Sequence, residues 1–347
     1  MRVSIIIVNY NGKQFLKACL DSVLAQSYTG FEIVLVDNNS SDGSIDFVCD
    51  TYTDDRIKVL KAKKNLGFSG GNNLGYSKSS GELIVLLNND TTVDKDWLRY
   101  LVEMTESDEN IGVTQSLVIT EGIPERFYKQ NGTVNILGHN IMEVFPISGD
   151  GTGEIFQANG CSLILKRKLV EKLGGLFIDE YFAYAEDTYL CFKVKFYGKR
   201  IMHTSKSVVH HKGNQTSKKQ RAAFITFLQE RNRLLNFLLF FSRGFLIKYI
   251  PYLLFNLELK VLVSIFSEKY SLSGILRAYW WLATHYGWLK EHRCMLSEYK
   301  KVPDKDVLKY VSGRLFNGEN LFVKLMNGMS VLYCRLVRIN VLEVNKH

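Results

Sequence analysis

The stretch Leu83-Ile84-Val85-Leu86-Leu87-Asn88-Asn89-Asp90 reads as an apolar strand that ends on a polar turn. The same arrangement recurs outward from it. Val3–Val8 runs into Asn9-Tyr10-Asn11-Gly12, Glu32–Val36 into Asp37-Asn38-Asn39-Ser40, and Ile57–Leu60 is followed by Asn65-Leu66-Gly67-Phe68. Helical patterns lie between and after these strands, over Phe15–Ala25, Ser44–Asp50, Asn72–Ser79 and Lys95–Thr105, and the first sets Phe15, Leu16, Cys19, Leu20, Val23 and Leu24 on one face. Short β-branched runs alternating with helices predict an α/β fold, a mostly parallel Rossmann-like sheet flanked by helices.

Open α/β sheets bind ligands beyond the carboxyl ends of their strands, where the polar clusters fall. Any one cluster is also ordinary turn chemistry, because Asn, Asp and Gly favour loops. Four on one sheet edge point to a common ligand. Asp37 can accept the imide N–H of uracil or thymine, and Tyr10 can pack on the base or ribose, which favours UDP or dTDP over other nucleotides. The first strand-to-helix turn, Asn9-Tyr10-Asn11-Gly12-Lys13, lacks GxGxxG, and the chain has no P-loop, which excludes the common dinucleotide and NTPase patterns. Gly67, Gly70, Gly71 and Gly75 read as a flexible turn that lets backbone approach a ligand. Asp90, poised at a strand end, suits Mg²⁺ or Mn²⁺, hard cations that share oxygen ligands with phosphates.

The ordered series Val8-Asn9-Tyr10-Asn11, Val36-Asp37-Asn38-Asn39-Ser40, Asn65-Leu66-Gly67-Phe68-Ser69-Gly70-Gly71-Asn72-Asn73 and Leu86-Leu87-Asn88-Asn89-Asp90 resembles the family 2 glycosyltransferases of GT-A fold, and their rhamnosyltransferase-like branch in particular. The likeness extends through Cys161–Leu165, Gly174-Gly175, Glu186-Asp187 and His210, over roughly residues 1–240. It implies an inverting, metal-dependent transferase moving one sugar from a nucleoside-diphosphate donor, UDP- or dTDP-linked, with dTDP-rhamnose among the candidates. Asn9, Tyr10, Asp37, Asn65, Gly67, Asn73, Asn88, Asn89 and Asp90 are the donor-binding positions by this likeness, and Asp90 is the last acid of a DxD-type metal motif whose first place holds Asn88. Asp187 is the implied base for the acceptor hydroxyl, with Glu186 beside it, although an Asp there can equally cap the helix that follows, Thr188–Tyr197. Tyr189 stands where the family carries a second acid. His210 is the implied second metal ligand and His211 its competitor. Trp97 and Asn159-Gly160 are candidate acceptor contacts, Trp97 being alternatively helix core. Lys212, Arg231 and Arg233 are candidate phosphate contacts or a solvated basic face. The processive synthases' Gln-x-x-Arg-Trp motif is replaced by Gln229-Glu230-Arg231-Asn232-Arg233, which favours single-sugar addition.

The remaining features concern the setting. The chain of 347 residues is 46% hydrophobic, enough for a large core, and its six cysteines form no CxxC pair, consistent with free thiols in a reducing compartment. Its net charge of +9 is uneven: residues 1–217 carry −3 and residues 218–347 carry +12. We therefore expect a catalytic domain over 1–217 and an amphipathic, basic, membrane-associating helical region over 218–347. There Phe224–Phe241 and Phe245–Phe266 are rich in Leu and Phe but broken by charges, and Pro251 should kink the second. An ordinary helical subdomain would show a similar pattern. The expected partners are a nucleotide-sugar donor, a glycan or polyprenyl-linked acceptor and an anionic membrane surface, with no nucleic acid. The expected location is cytoplasmic, peripheral on the inner face of the cell membrane. Glycine- and asparagine-rich segments from Ile123 to Gly160 should shape the pocket.

Overall fold

The computed structural model describes residues 2–122, 132–142, 148–213, 222–266 and 270–342. The chain divides into two compact units, one of residues 1–129, 146–190 and 199–219, the other of 130–145, 191–198 and 220–347. The pocket-shaping segments expected at 123–131 and 143–147 lie outside the described residues.

In chain order the strands are β1 (Val3–Asn9), β2 (Phe31–Asp37), β3 (Ile57–Lys61), β4 (Leu83–Asn88), β5 (Thr91–Val93), β6 (Ile111–Thr120), β7 (Gly132–Val134), β8 (Asn140–Met142), β9 (Thr152–Ile155), β10 (Ser162–Lys166) and β11 (Arg200–His211). The helices are α1 (Lys13–Leu24), α2 (Ser44–Thr51), α3 (Gly67–Lys78), α4 (Trp97–Glu106), α5 (Arg167–Lys172), α6 (Glu186–Phe196), α7 (Ala222–Phe240), α8 (Arg243–Phe266), α9 (Leu272–Thr284), α10 (Tyr286–Tyr299), α11 (Asp304–Leu308) and α12 (Leu321–Leu336).

The first unit is built on one sheet of order β3-β2-β1-β4-β10-β6-β11-β5, with β9 also paired to β11. β3, β2, β1 and β4 are all parallel, as their alternation with α1–α3 requires, whereas β10 runs antiparallel to both β4 and β6. The sheet is thus mixed, its parallel half coming from the first 90 residues. Registration decides what meets at the carboxyl edge. Asn9 pairs with Asp37 and Val8 with Asn88, so the ends of β1, β2 and β4 lie level.

α3 corrects the reading of its glycines. They do not form a flexible turn: the helix begins at Gly67 and runs through Gly70, Gly71 and Gly75. A side chain at Gly71 would come within 2.6 Å of Val8 Cγ1, and one at Gly75 would overlap Ile6. Gly71 and Gly75, on one face by helical spacing, let α3 lie close on β1 and β2.

The core on the opposite face of the sheet, against α1 and α4, includes Ile5, Ile7, Leu16, Leu20, Leu35, Val85 and Leu101, all fully buried. Trp97 is also fully buried, its Nε1 donating to Ser116 Oγ and Ser162 Oγ at 3.0 Å each. It is core, and the expectation of an acceptor contact there is withdrawn: an amphipathic α4 turns its first residue inward, and the serines satisfy the indole N–H.

In the second unit α7 has a buried face that includes Arg231 and Arg233, so they form no solvated basic face. Arg233 pairs with Glu230, to which Lys260 Nζ also lies within 3.3 Å. A cationic residue this deep survives because a carboxylate faces it. Elsewhere in this unit Phe192, Phe196, Phe237, Phe240 and Phe241 pack on one another, Phe196 on Phe240 at 5.7 Å. α8 runs unbroken through Pro251. Among the described residues it is the one helix long and apolar enough to cross a bilayer.

Candidate active site

The polar ends of β1, β2 and β4 are tied to one another before any ligand is considered. Asn9 is fully buried; its Oδ1 accepts from Asn89 Nδ2 at 2.7 Å and its Nδ2 donates to Ser40 Oγ at 3.2 Å. Gly12 leaves the space that Asn89 fills, since a Cβ there would overlap Asn89 Nδ2. Asn11 and Asn39 adopt left-handed backbone, φ 50° and 64°, which Asn tolerates better than most residues. Asn9 therefore positions the Asn88–Asp90 turn from below; its side chain has no face turned to a ligand, contrary to its expected role as a contact.

Asp37 is buried, and its Oδ2 accepts the Ser40 N–H at 3.2 Å while Oδ1 has no partner among the described residues. A buried carboxylate oxygen left open costs free energy unless something donates to it, so this atom is the clearest acceptor on the edge. Tyr10, half-buried, lies one residue past the end of β1.

Three other expected contacts, Asn73, Gly67 and Asn65, have structural partners. Asn73 Nδ2 donates to Phe177 O at 3.0 Å and Asp179 Oδ1 at 2.7 Å, and its Oδ1 accepts from Phe177 N at 3.2 Å. A side chain with three protein bonds is a brace, and it holds the segment leading to Glu186. Gly67, at φ +71°, lies against Phe182 O, where a Cβ would overlap. It too is a close-approach point between elements. Asn65 Oδ1 accepts the Gly67 N–H at 2.8 Å and so shapes the start of α3.

The segment braced in this way is strained. Phe182 has φ 60° and ψ −64°, and Ala183 N donates to Tyr181 O at 2.6 Å, a γ-turn of the rare positive-φ kind. Tyr184 and Ala185 follow at φ 72° and 60°. Such residues cost of order 1–3 kcal/mol each and persist where surroundings over-determine them. The turn delivers Glu186 and Asp187 at the head of α6. Asp187 accepts N–H bonds from Thr188, at 2.6 Å, and from Gly160. Two residues on from Gly160 β10 begins, and Asn88 N bonds Cys161 O at 3.0 Å, so the acidic pair reaches the same edge as the Asn88–Asp90 turn.

Asp187 keeps a partly exposed face, while Glu186 is buried with Oε2 unpartnered among the described residues. Burial, then the neighbouring Asp187 charge, push the Glu186 carboxyl well above the ordinary carboxylate range. Burial raises Asp187 too, against the pull of the Thr188 and Gly160 N–H groups. Tyr189, in the place of a second acid, is buried and packs on Tyr181 with ring centres 5.2 Å apart. That position belongs to the core.

The histidines decide the cation question. β5 and β11 are antiparallel with His211 opposite Thr91 and His210 opposite Thr92. Consecutive strand residues point to opposite faces. His210 accordingly turns to Asp94, 3.1 Å away and largely exposed, and His211 turns to Asp90, with Nε2 to Oδ1 also 3.1 Å. His211, and not the expected His210, stands beside Asp90. Asn88 Nδ2 lies 3.4 Å from the same His211 nitrogen. The Asp90–His211 spacing fits a shared cation, since two neighbouring ligands about 2.1 Å from one octahedral ion sit about 3 Å apart. Among the described residues no group of three His, Cys, Asp or Glu side chains could hold a metal, so further ligands would have to come from a donor or water. A cleft of about 370 Å³ opens beside the pair, lined also by Gln14, Phe15, Glu121 and Lys212. Lys212 pairs with Glu121 at 3.2 Å. Gln14 and Glu121 were not singled out in the sequence, and Phe15, placed there on the apolar face of the first helix, is half-buried and borders the cleft; strand alternation could have separated His211 from His210, but no local signal assigns the other three to the cleft.

Comparison with known proteins gives these features a context. Residues 4–174 match the family described as glycosyl transferase family 2. The O-antigen biosynthesis protein RfbC of Myxococcus xanthus is 29% identical over 220 residues, covering 60% of this chain and 17% of that protein. The low-salt glycan biosynthesis hexosyltransferase Agl10 of Haloferax volcanii is 25% identical over 197 residues, covering 56% and 61%. The chain thus spans less than two thirds of these relatives. Among solved structures, GalNAc-T7 with UDP, GalNAc and Mn²⁺ superposes with TM-score 0.62 at 15% identity, covering 83% of this chain and 57% of the other. S. aureus TarS in complex with UDP-GlcNAc gives 0.55 at 15% identity, covering 97% and 90%. At such identities these structures show a shared GT-A-like fold.

Proposed function

The chain belongs to glycosyl transferase family 2, and on that footing we propose that it transfers a single sugar, with inversion, from a UDP- or dTDP-sugar to a glycan or polyprenyl-linked acceptor in surface-polysaccharide synthesis. The observation that carries this is the meeting of Asp90 and His211 at the carboxyl edge of the sheet, level with the open oxygen of Asp37. Family membership and the O-antigen relative support the polysaccharide setting. The rhamnosyltransferase-like motif series makes dTDP-rhamnose the first donor to try.

In this reading Asp37 Oδ1 accepts the base imide N–H and Tyr10 packs on the nucleoside. Asp90 and His211 would hold Mg²⁺ or Mn²⁺, which when bound neutralises the donor diphosphate. Asp187 takes the proton of the acceptor hydroxyl as its oxygen bonds to the anomeric carbon, and the bond from that carbon to the diphosphate oxygen breaks on the opposite face. The products are the inverted glycoside and the nucleoside diphosphate. Asn9, Asn73 and Asn89 hold the edge in shape. Since the relatives extend beyond this chain, acceptor and location, at the cytoplasmic face of a membrane, are part of the proposal.

The test is nucleotide release from UDP-, dTDP- and GDP-sugars by the full chain with and without Mg²⁺ or Mn²⁺. Metal-dependent release that Asp90→Ala removes supports the reading. Release unaffected by both Asp90→Ala and Asp187→Asn would sink it.

A further inference from the structure

Two helices of the second unit leave apolar stripes exposed. On α12 the inward positions include Asn327, Ser330 and Cys334. Asn327 Oδ1 accepts from Leu315 N and its Nδ2 donates to Phe316 O, while Ser330 Oγ donates to Gly313 O. The outward positions are Leu321, Leu325, Met329, Leu332 and Leu336, each 55–74% exposed and recurring every three or four residues. α8 shares the exposed stripe, and its inward face passes from Phe245, Tyr249 and Tyr252 to Asn256 and Lys260, where Asn256 Nδ2 donates to Tyr279 OH at 2.8 Å and Lys260 meets Glu230, while Ile247, Ile250, Leu254, Leu262 and Ile265 are 50–70% exposed. The two helices are neighbours: Tyr252 OH lies 3.0 Å from Ser330 Oγ, and Tyr333 OH donates to Lys248 O at 2.9 Å. A helix bordering water shows the reverse polarity.

We propose that the outward faces of α8 and α12 seat on an anionic phospholipid bilayer, with their apolar stripes at the headgroup–acyl boundary. The charge balance favours lipid over a second protein surface. Residues 218–347 carry +12, and Glu258 is the one carboxylate in the two helices, against Arg243, Lys248, Lys324 and Arg335, with Lys260 turned inward to Glu230. Long basic side chains beside an apolar stripe can keep the stem in the boundary and the charge among lipid phosphates. The stripe runs the length of α12, 16 residues or about 24 Å at 1.5 Å per residue, and on α8, 24 residues or about 36 Å, it is interrupted by the exposed Glu258 between Leu254 and Leu262. The surface deepens the membrane-facing part of the proposed function and rests on it, but uses none of the transferase residues.

Flotation of the full chain with vesicles of phosphatidylcholine, alone and with phosphatidylglycerol admixed, tests it. The expected result is flotation with the anionic vesicles, weakened by salt, and a loss of roughly tenfold or more in partitioning for Leu325→Glu/Met329→Glu and for Ile250→Glu/Leu254→Glu. Because these positions are exposed, the variants should keep their melting temperature and their metal-dependent nucleotide release, which separates failure of this surface from failure of the catalytic reading. Variants that float as the parent does, a parent that floats with neither vesicle, or a parent dimer that the substitutions split while vesicle binding is absent would each overturn the proposal.

Discussion

His211 Nε2 stands 3.1 Å from Asp90 Oδ1, joined to it across the short antiparallel pairing of β5 with β11, while His210 faces the other side of the strand toward Asp94. If that pair holds the cation, His211→Ala and Asp90→Asn should each lower metal-stimulated nucleotide release by about 100-fold or more, the scale expected when Lewis-acid help of several kcal/mol is lost. His210→Ala should stay within about twofold of the parent. Mn²⁺ titration in the presence of UDP, followed by electron paramagnetic resonance, reads the same difference without turnover. A larger loss at His210 than at His211 would refute the pairing.

Asp37→Asn replaces an open carboxylate oxygen with an amide that accepts more weakly. A charged hydrogen bond contributes about 1.5–3 kcal/mol, so UDP affinity measured by calorimetry should fall roughly 10- to 100-fold. In a panel of donors, stronger binding of a GDP-sugar than of UDP- or dTDP-sugars would defeat this role for Asp37.

Asp187→Asn should leave donor binding near the parent value and reduce transfer about 100- to 10,000-fold, the usual range for loss of a general base. The pH profile carries a second reading. A base must be deprotonated, so kcat/KM should rise with pH along a limb placed above the ordinary carboxylate range, because burial raises Asp187. Glu186, raised by burial and by the Asp187 charge, is neutral while Asp187 titrates, so Glu186→Gln should leave that limb in place. A limb that moves would show the two carboxyls titrating together.

Stability should follow the same pair with the opposite sense. With folded pKa values raised, the native state binds more protons than the unfolded chain above the ordinary carboxylate pKa, so stability is full below that value and is lost as pH rises through the raised ones. The melting temperature of the parent should therefore drop between mildly acidic and mildly alkaline pH, and Glu186→Gln should flatten the drop. An equal slope in both proteins would disprove the assignment.

Gly75 and Gly328 offer a matched contrast in helical glycines. Gly75 lies hard against Ile6 beneath α3, whereas nothing approaches Gly328 on α12. Gly75→Val should destabilise by about 1–3 kcal/mol through overpacking, and Gly328→Ala should stabilise by up to about 1 kcal/mol through helix propensity. Thermal or urea unfolding distinguishes them; equal effects would mean α3 does not pack as described.

Much was legible because it is local. Strand-helix alternation over the first 106 residues, the polar clusters at strand ends and the acidic pair Glu186-Asp187 all follow from patterns within a few residues, and β1, β2, β4, α1 and α4 stand within two residues of their expected ends. Asp37 and Asp90 could be nominated from strand-end position alone. The family motifs also marked Asn9, Gly67 and Asn73, but a motif does not distinguish a ligand contact from a brace. That distinction depends on which partners the side chain finds, and those of Asn9 and Asn73 lie 31 and 106 residues away.

The α/β sheet, the edge on which the site lies and the residue types brought to it follow from the chain locally, because backbone periodicity and turn chemistry are properties of neighbouring residues. That His211 meets Asp90, that Trp97, Arg231 and Arg233 are buried, and that α8 and α12 leave apolar stripes exposed came from the packing of distant elements. Each of those outcomes depends on the register of one element against another. A shift of one residue in β11 would exchange the two histidines, and the residues at 200–211 do not carry that choice without β5 and β6 beside them.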